Sequence, residues 1–180
     1  MRSKRMNNIS SRCSILALTA LLSTPLLAQA ELPEAVRVPA GNSLMLETVG
    51  KGTIVYECRD KKDMPGQTEW VFVGPKADLH DRQGKPVGRY YGPPATWEAA
   101  DGSKVVGKQL AIAPAGAGNL PYQLVEAAPA EGKGAFQGTT YIQRTALKGG
   151  VAPAKACTAA NRGEQQTVGY HADYLFWKKG

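Results

Sequence analysis

The chain contains few of the residues on which metal and catalytic sites usually depend. It has two histidines and three cysteines among 180 residues, and no cysteine pair stands in a C-x-x-C spacing. Two histidines exclude a three-histidine zinc site but leave a site of two histidines and one aspartate open. No G-x-G-x-x-G follows a strand-like run, so a nicotinamide site lacks its physical basis. We therefore predict no cofactor and no bound metal.

Acidic residues are missing from the first 30 positions, where cations precede a short apolar run. The cations are Arg2, Lys4, Arg5 and Arg12. The run covers residues 15–27, and the small residues of Ala28-Gln29-Ala30 follow it. This order predicts a secretory signal peptide over residues 1–30, and the run is shorter than the about 20 residues that a spanning helix needs. We expect a periplasmic or secreted domain of residues 31–180 without a membrane span.

The positive charge of the full chain belongs largely to this leader. The sequence carries 22 Lys and Arg against 15 Asp and Glu, and removing the four leader cations leaves 18 against 15, a net charge of +3. A balance this small, without a basic stripe, argues against nucleic acid as a partner.

Removal of the leader would also leave two of the three cysteines, Cys58 and Cys157. An exported chain with an even number of cysteines favours a disulfide, here one that joins an early strand to a late loop. A redox or metal-binding thiol pair is the alternative. No Cys/His spacing supports that alternative.

Long amphipathic helical patterns are also missing, and short alternating runs separated by Gly and Pro take their place. The clearest is 167–177, where one face carries Val168, Tyr170, Ala172, Tyr174 and Phe176. In 53–59 one face carries Ile54, Tyr56 and Cys58. A period of two is typical of a half-buried strand. About nine or ten short strands with long loops predict a single-domain all-β fold, either a β-sandwich or a closed barrel.

Several of these strands are predicted to be short because Gly or Pro interrupts them. The run 43–48 is taken as separate from 53–59, with two glycines between them. Gly74-Pro75 is taken to break 68–73 from 77–80. Asp101-Gly102 predicts a hairpin turn, and turn chemistry accounts for Ser103 after it.

The stretch from Tyr90 to Trp97 combines aromatic residues with a stiff Gly-Pro-Pro turn. Stiffness lowers the entropy cost of presenting side chains to a partner, so Tyr90, Tyr91 and Trp97 are the predicted ligand-binding residues. The same residues would equally pack a corner of a sheet. The leading hypothesis is a non-enzymatic binding module that contacts a small molecule or an envelope protein through the surface 90–103.

An enzyme is the competing hypothesis. His171 and Asp173 lie two apart on the polar face of one strand, where the carboxylate could orient the imidazole for base catalysis. His80 and Asp101 complete the candidate set. A surface pair facing water is the alternative, since nothing in the sequence brings a nucleophile to them. Convergence of both histidines and a carboxylate in a concave pocket would favour a hydrolase-like or metal-dependent enzyme.

Ordered motifs along the chain resemble DUF3455, a family of secreted bacterial and fungal proteins of unknown function. The motifs are Gly52-x-x-x-Tyr56-x-Cys58, Gly74-Pro75-x-Ala77-x-Leu79, Gly92-Pro93-x-x-x-Trp97-x-x-x-Asp101-Gly102-Ser103, Tyr141-Ile142-Gln143-Arg144, Gly149-Gly150-x-x-Pro153 and Tyr170-x-Ala172-Asp173-Tyr174-x-Phe176. The resemblance covers about residues 33–177 and implies a domain without an assigned activity. Many relatives have His before the aromatic that corresponds to Tyr91, where this chain has Tyr90, which puts any role of that His in doubt here.

A second resemblance is to periplasmic inhibitors of C-type lysozyme, which are small exported β domains with a Tyr-x-Cys strand and one main disulfide. It rests on Tyr56-Glu57-Cys58 and on the ending 176–180. It implies lysozyme inhibition as a further alternative function.

Overall fold

The computed structural model describes residues 32–180, and the predicted signal peptide, residues 1–30, lies outside the described residues. A 3-10 turn at Glu34–Val36 precedes eight strands, and another at Ala159–Asn161 precedes the last of them. The strands are β1 (Asn42–Asp60), β2 (Thr68–His80), β3 (Pro86–Tyr91), β4 (Thr96–Ala99), β5 (Lys104–Ala113), β6 (Tyr122–Ala127), β7 (Thr139–Gly149) and β8 (Gln165–Lys179). No helix in residues 32–180 is long and apolar enough to cross a bilayer.

The strands form one antiparallel sheet that closes on itself. Each strand pairs with the next in sequence, and β8 pairs with β1. Directly opposed residues of neighbouring strands share a face of the sheet. The all-β prediction is therefore confirmed, in a single closed sheet.

Residues 32–180 form eight strands, and the prediction of nine or ten is wrong because β1 and β2 each continue through a predicted break. Gly50 lies inside β1, where a side chain would collide with a buried ring: an added Cβ would lie 2.6 Å from Tyr174 Cε2. Pro75 lies inside β2, opposite Ile54 and just beyond the first pair with β3. Proline lacks an N–H donor and is tolerated where no neighbouring strand needs one.

Large side chains fill the interior of the closed sheet. The side chains with less than 2% exposure include Trp97, Tyr174, Phe136, Phe176 and Ile54. An interior of eight strands is just wide enough for side chains to fill. The predicted inner face of β8 is confirmed for Tyr170, Ala172, Tyr174 and Phe176, all of which are buried.

Cys58 and Cys157 form the predicted disulfide, with their Cα atoms 5.4 Å apart. The bridge fastens the connection 150–164 to the end of β1. Two hydrogen bonds from β2 hold the same connection: Thr68 Oγ1 donates to the carbonyl of Cys157 at 2.9 Å, and Trp70 Nε1 donates to the carbonyl of Lys155 at 2.6 Å.

Replacing Gly52 with alanine should destabilise the protein by about 3 kcal/mol. The added Cβ would collide with the backbone carbonyl oxygen of Lys76 and lie 2.6 Å from Ala77 Cβ. A change of rotamer cannot relieve a collision with backbone, so the two strands would have to separate. Gly169 is a matched control in β8, because an added Cβ there meets nothing within 4 Å. Urea denaturation should show a loss for Gly52→Ala only, and equal losses would contradict the packing argument.

Candidate functional site

Tyrosines collect at one end of the closed sheet, which we call the tyrosine end. It is the end where the connections 61–67, 92–95, 114–121 and 150–164 lie. The inward side chains that interact there are Tyr56, Tyr90, Arg144, Tyr170 and Tyr174. They come from strands β1, β3, β7 and β8, so the group exists only when the sheet is closed.

Two of the three predicted ligand-binding residues lie inside the sheet at this end. Tyr90 is directly opposite Trp97, and their rings stack with centroids 4.6 Å apart. Tyr90 is 5% exposed and Trp97 is 1% exposed. These two side chains therefore do not form the outer surface that the sequence suggested. Whether they contact a ligand stays a prediction.

Tyr91, the third predicted residue, points outward because successive strand residues alternate. Its hydroxyl donates to Glu98 Oε2 at 2.8 Å, and Arg89 Nη2 donates to Glu98 Oε1 at 2.8 Å. The hydrogen bond to Glu98 raises the pKa of Tyr91, and the Tyr91 and Arg89 hydrogen bonds lower the pKa of Glu98. This side chain borders an outer groove of about 560 Å³ that Lys76 and Asp78 also line.

The buried tyrosine hydroxyls differ in how well they are paired. Tyr56 donates to the carbonyl of Gly150 at 2.8 Å, and the Tyr170 and Tyr174 hydroxyls lie 3.0 Å apart. The Tyr90 hydroxyl has no hydrogen-bond partner within residues 32–180, and it is not among the atoms fully shielded from solvent. Burial raises the pKa of all four tyrosines, and the positive charge of Arg144 opposes that rise. The hydroxyls are therefore neutral donors at physiological pH.

Arg144 is the cation of the tyrosine end. It lies opposite Tyr174 on β8 and Gln123 on β6, and it is 9% exposed. Its Nε and Nη2 donate to the carbonyl of Pro121 at 3.3 and 3.0 Å. No carboxylate of the described chain lies within 4.0 Å of its guanidinium. The arginine thus positions the 114–121 connection while its charge stays unbalanced.

Exposed apolar side chains surround the same end. Among residues 32–180, six large hydrophobic residues are at least 40% exposed, and five of them lie in connections or strand halves of the tyrosine end. These five are Met64, Phe72, Leu110, Ile112 and Val151. Phe72 is opposite Tyr56, and the two rings meet edge to face with centroids 6.1 Å apart. The end therefore combines apolar surface with buried polar groups.

The candidate catalytic residues His80, His171 and Asp173 line one outer groove of about 370 Å³. Strand pairing brings them together, because Val49 of β1 is opposite both His80 and Asp173. Asp173 accepts from Arg82 Nη1 at 2.7 Å, whereas its Oδ1 is 4.0 Å from His171 Nε2. The arginine, not the histidine, is the close partner of this carboxylate.

Two features of the groove bear on catalysis. The described residues lining it include no Ser, Thr or Cys that could act as a nucleophile. The part of the chain that the structure describes contains no group of three His, Cys, Asp or Glu side chains that could hold a metal ion. Three of the candidate residues therefore converge in one groove, but they do not form a group that could hold a metal ion.

Asp101, the fourth candidate, lies apart from that groove in the turn between β4 and β5. Its Oδ1 accepts from Ser103 Oγ at 2.6 Å and from the Ser103 backbone N–H at 2.9 Å, and its Oδ2 accepts from Ala135 N–H at 2.7 Å. These hydrogen bonds, the Ser103 side chain first, lower the pKa of Asp101. Asp101 therefore holds this turn against the connection 128–138.

Sequence reasoning did not select four of the residues at the tyrosine end, namely Tyr56, Arg144, Tyr170 and Tyr174. A signal for Arg144 was present, because it alternates with Ile142 and so belongs on the apolar face of β7. A charged residue on an inward face marks a position that needs a polar partner.

Comparison with known proteins assigns a family without assigning an activity. The family described as "Protein of unknown function (DUF3455)" matches residues 39–178. Neither the curated proteins nor the solved structures give a match. The matched span begins before β1 and ends one residue before the end of β8, so it includes every strand that forms the tyrosine end. The chain belongs to the DUF3455 family.

Proposed function

We propose that this chain is exported and acts as a non-enzymatic binding protein whose ligand site is the tyrosine end. The observation that carries this proposal is the presence of five exposed apolar side chains at the end of the sheet where the inward tyrosines lie. Ligand sites are commonly apolar surfaces with a few convergent polar groups. Exposed apolar surface also has a solvation cost that a bound partner removes.

The chemistry of the described groups favours binding over catalysis. Tyrosines with a raised pKa stay protonated at neutral pH and are poor general bases. The groove that contains His171 lacks a nucleophile, as described above. Lysozyme inhibition has no relative among the comparisons to support it and stays a prediction.

Export is supported by two independent features. Residues 1–30 carry the predicted signal pattern, and the Cys58–Cys157 bridge is of a kind that persists in oxidising compartments. Expression of the full chain in a bacterium should therefore give periplasmic or secreted protein whose N-terminus is Glu31. Protein that keeps its N-terminus and stays in the cytoplasm would contradict this part of the proposal.

The binding site can be tested on that exported protein by NMR amide shifts. Benzyl alcohol, benzoate and benzylamine share an aromatic ring and differ in charge, so one of them should shift the amides of Tyr90, Gly150 and Val151. Phe72→Ala should weaken that binding, because Phe72 is an exposed ring that meets the ring of Tyr56 edge to face. Leu44→Ala is the matched control, since Leu44 is 42% exposed against 48% for Phe72 and lies at the other end of the sheet. The absence of shifts at the tyrosine end with all three probes would overturn the proposal.

A further inference from the structure

Arg144 is a buried charge that the described chain does not neutralise. A guanidinium removed from water loses hydration that a carbonyl partner replaces only in part. Of its nitrogens, Nε and Nη2 share the carbonyl of Pro121. Nη1 has no partner within residues 32–180 and is not among the atoms fully shielded from solvent, so it is open to an external partner. Nearly all buried charges in proteins are paired. The missing partner is therefore the first indication of what the site binds.

A second unpaired donor lies in the same interior. The Tyr90 hydroxyl lacks a partner within residues 32–180. Its ring lies 5.1 Å from the ring of Tyr174, the residue directly opposite Arg144. Nη1 and the Tyr90 hydroxyl are both donors, so a group that satisfies both must be an acceptor. A carboxylate has two acceptor oxygens and pairs well with the planar guanidinium.

We infer that the ligand of the tyrosine end is a small monocarboxylate with an apolar body, whose carboxylate binds Arg144 and the Tyr90 hydroxyl. This inference rests on the proposed binding function. The apolar body would contact Phe72, Ile112 and Val151, which are exposed at the same end.

The balance of charge favours a single negative charge over a phosphate dianion. Arg144 is the inward-facing cation among the described residues of this end. Of the surface cations there, Lys155 pairs with Glu164 at 2.6 Å and Arg162 with Asp60 at 2.7 Å. One buried positive charge is neutralised by one carboxylate. A dianion would leave a net negative charge in a poorly hydrated site, which costs free energy.

The sheet offers an approach for such a ligand. β4 is short and pairs with β5 only at three positions, from Thr96 opposite Val106 to Glu98 opposite Lys104. The rest of β5, residues 108–113, has no strand partner on its β4 side in the described sheet. Leu110 and Ile112 are exposed on this half of β5. Ile112 is opposite Gln123, and Gln123 is opposite Arg144. The exposed half of β5 therefore lies two strands away from the unpaired guanidinium.

The charge preference can be measured on the exported protein without any substitution. Benzoate should bind at least about tenfold more tightly than benzyl alcohol, because only benzoate can form the charge-assisted hydrogen bonds. Benzylamine should bind more weakly than either. Inorganic phosphate should not displace benzoate at equal concentration.

Substitution then assigns the preference to one residue. Arg144→Met should lower the affinity for benzoate relative to that for benzyl alcohol by about tenfold. Arg89→Met is the matched control, since Arg89 lies on the outer surface, and it should change neither affinity. Tyr90→Phe should weaken benzoate alone by a smaller factor.

The outcomes separate this inference from the function on which it rests. Equal affinity for benzoate and benzyl alcohol at the tyrosine end would overturn the carboxylate and leave the binding function standing. Displacement of benzoate by phosphate would overturn the choice of a monoanion. If Arg144→Met does not fold, the wild-type comparison of benzoate with benzyl alcohol still decides. No binding of any probe would overturn both proposals.

Discussion

Replacing Cys58 and Cys157 together with alanine should lower the free energy of unfolding by about 4–5 kcal/mol, measured by urea denaturation against the oxidised protein. The two cysteines are 99 residues apart in sequence. In the chain-entropy model, a cross-link over about 100 residues removes that much conformational freedom from the unfolded chain. The bridge acts mainly on the unfolded state, so the strands need not change for the loss to appear.

The folded state should change locally as well. The bridge holds the connection 150–164 beside β1 and β2, where Tyr56 donates to the carbonyl of Gly150 and Thr68 to that of Cys157. Amide hydrogen exchange in this connection should become faster in the alanine variant than in the oxidised protein. Reductant should destabilise the parent protein and leave the variant unchanged. A loss below about 1 kcal/mol would show that the unfolded chain is already compact and gains little freedom when the bridge is removed.

The fold class could be predicted because each strand carries its own local signal. In β8 the alternation of Tyr170, Ala172 and Tyr174 with polar residues fixes which face is buried, since a shift of one residue would exchange the faces. The disulfide could be predicted because two cysteines remain after the predicted cleavage and have one way to pair. Neither inference needs knowledge of which strands are neighbours.

The lengths of β1 and β2 could not be predicted for a reason that lies in other strands. Gly50 reads locally as a break, but it is in β1 because the ring of Tyr174 from β8 occupies the space of its side chain. Gly74 is in β2 because an added Cβ would collide with the carbonyl oxygen of Gly92. A glycine required by a distant neighbour and a glycine that marks a turn look the same in sequence.

The candidate site was predictable only in part. The sequence selects Tyr90 and Trp97 by their aromatic rings but assigns them to the surface. Which face of β3 points inward depends on its pairing with β2, and that pairing is not visible in the sequence. Arg144 lies about 50 residues further along the chain, and it comes close to these residues only because β7 pairs with β8. The group of Tyr56, Tyr90 and Arg144 therefore has no local signature, although each member lies in a predicted strand.

Replacing Trp97 with alanine should lower the free energy of unfolding by about 3–5 kcal/mol, the usual range for truncating a fully buried tryptophan. Its ring stacks on Tyr90 and meets Tyr174 and Phe176 edge to face, with centroids 5.7 and 6.4 Å away. These neighbours belong to β3 and β8, on different sides of the interior, so they cannot close together over the cavity without distorting the sheet. Urea denaturation of the variant and the parent measures the loss.

Two further variants show whether the loss comes from the cavity. Trp97→Phe keeps a ring and removes an indole N–H that is buried without a partner in residues 32–180, so it should cost less than half as much as alanine. Phe72→Ala truncates an aromatic ring at the tyrosine end that is 48% exposed and should cost at most about 1 kcal/mol. A loss for Phe72→Ala as large as that for Trp97→Ala would mean that Phe72 is part of the core. In that case the apolar body of a ligand would have no free ring to contact, and the surface proposed for binding would have to be moved to Ile112 and Val151.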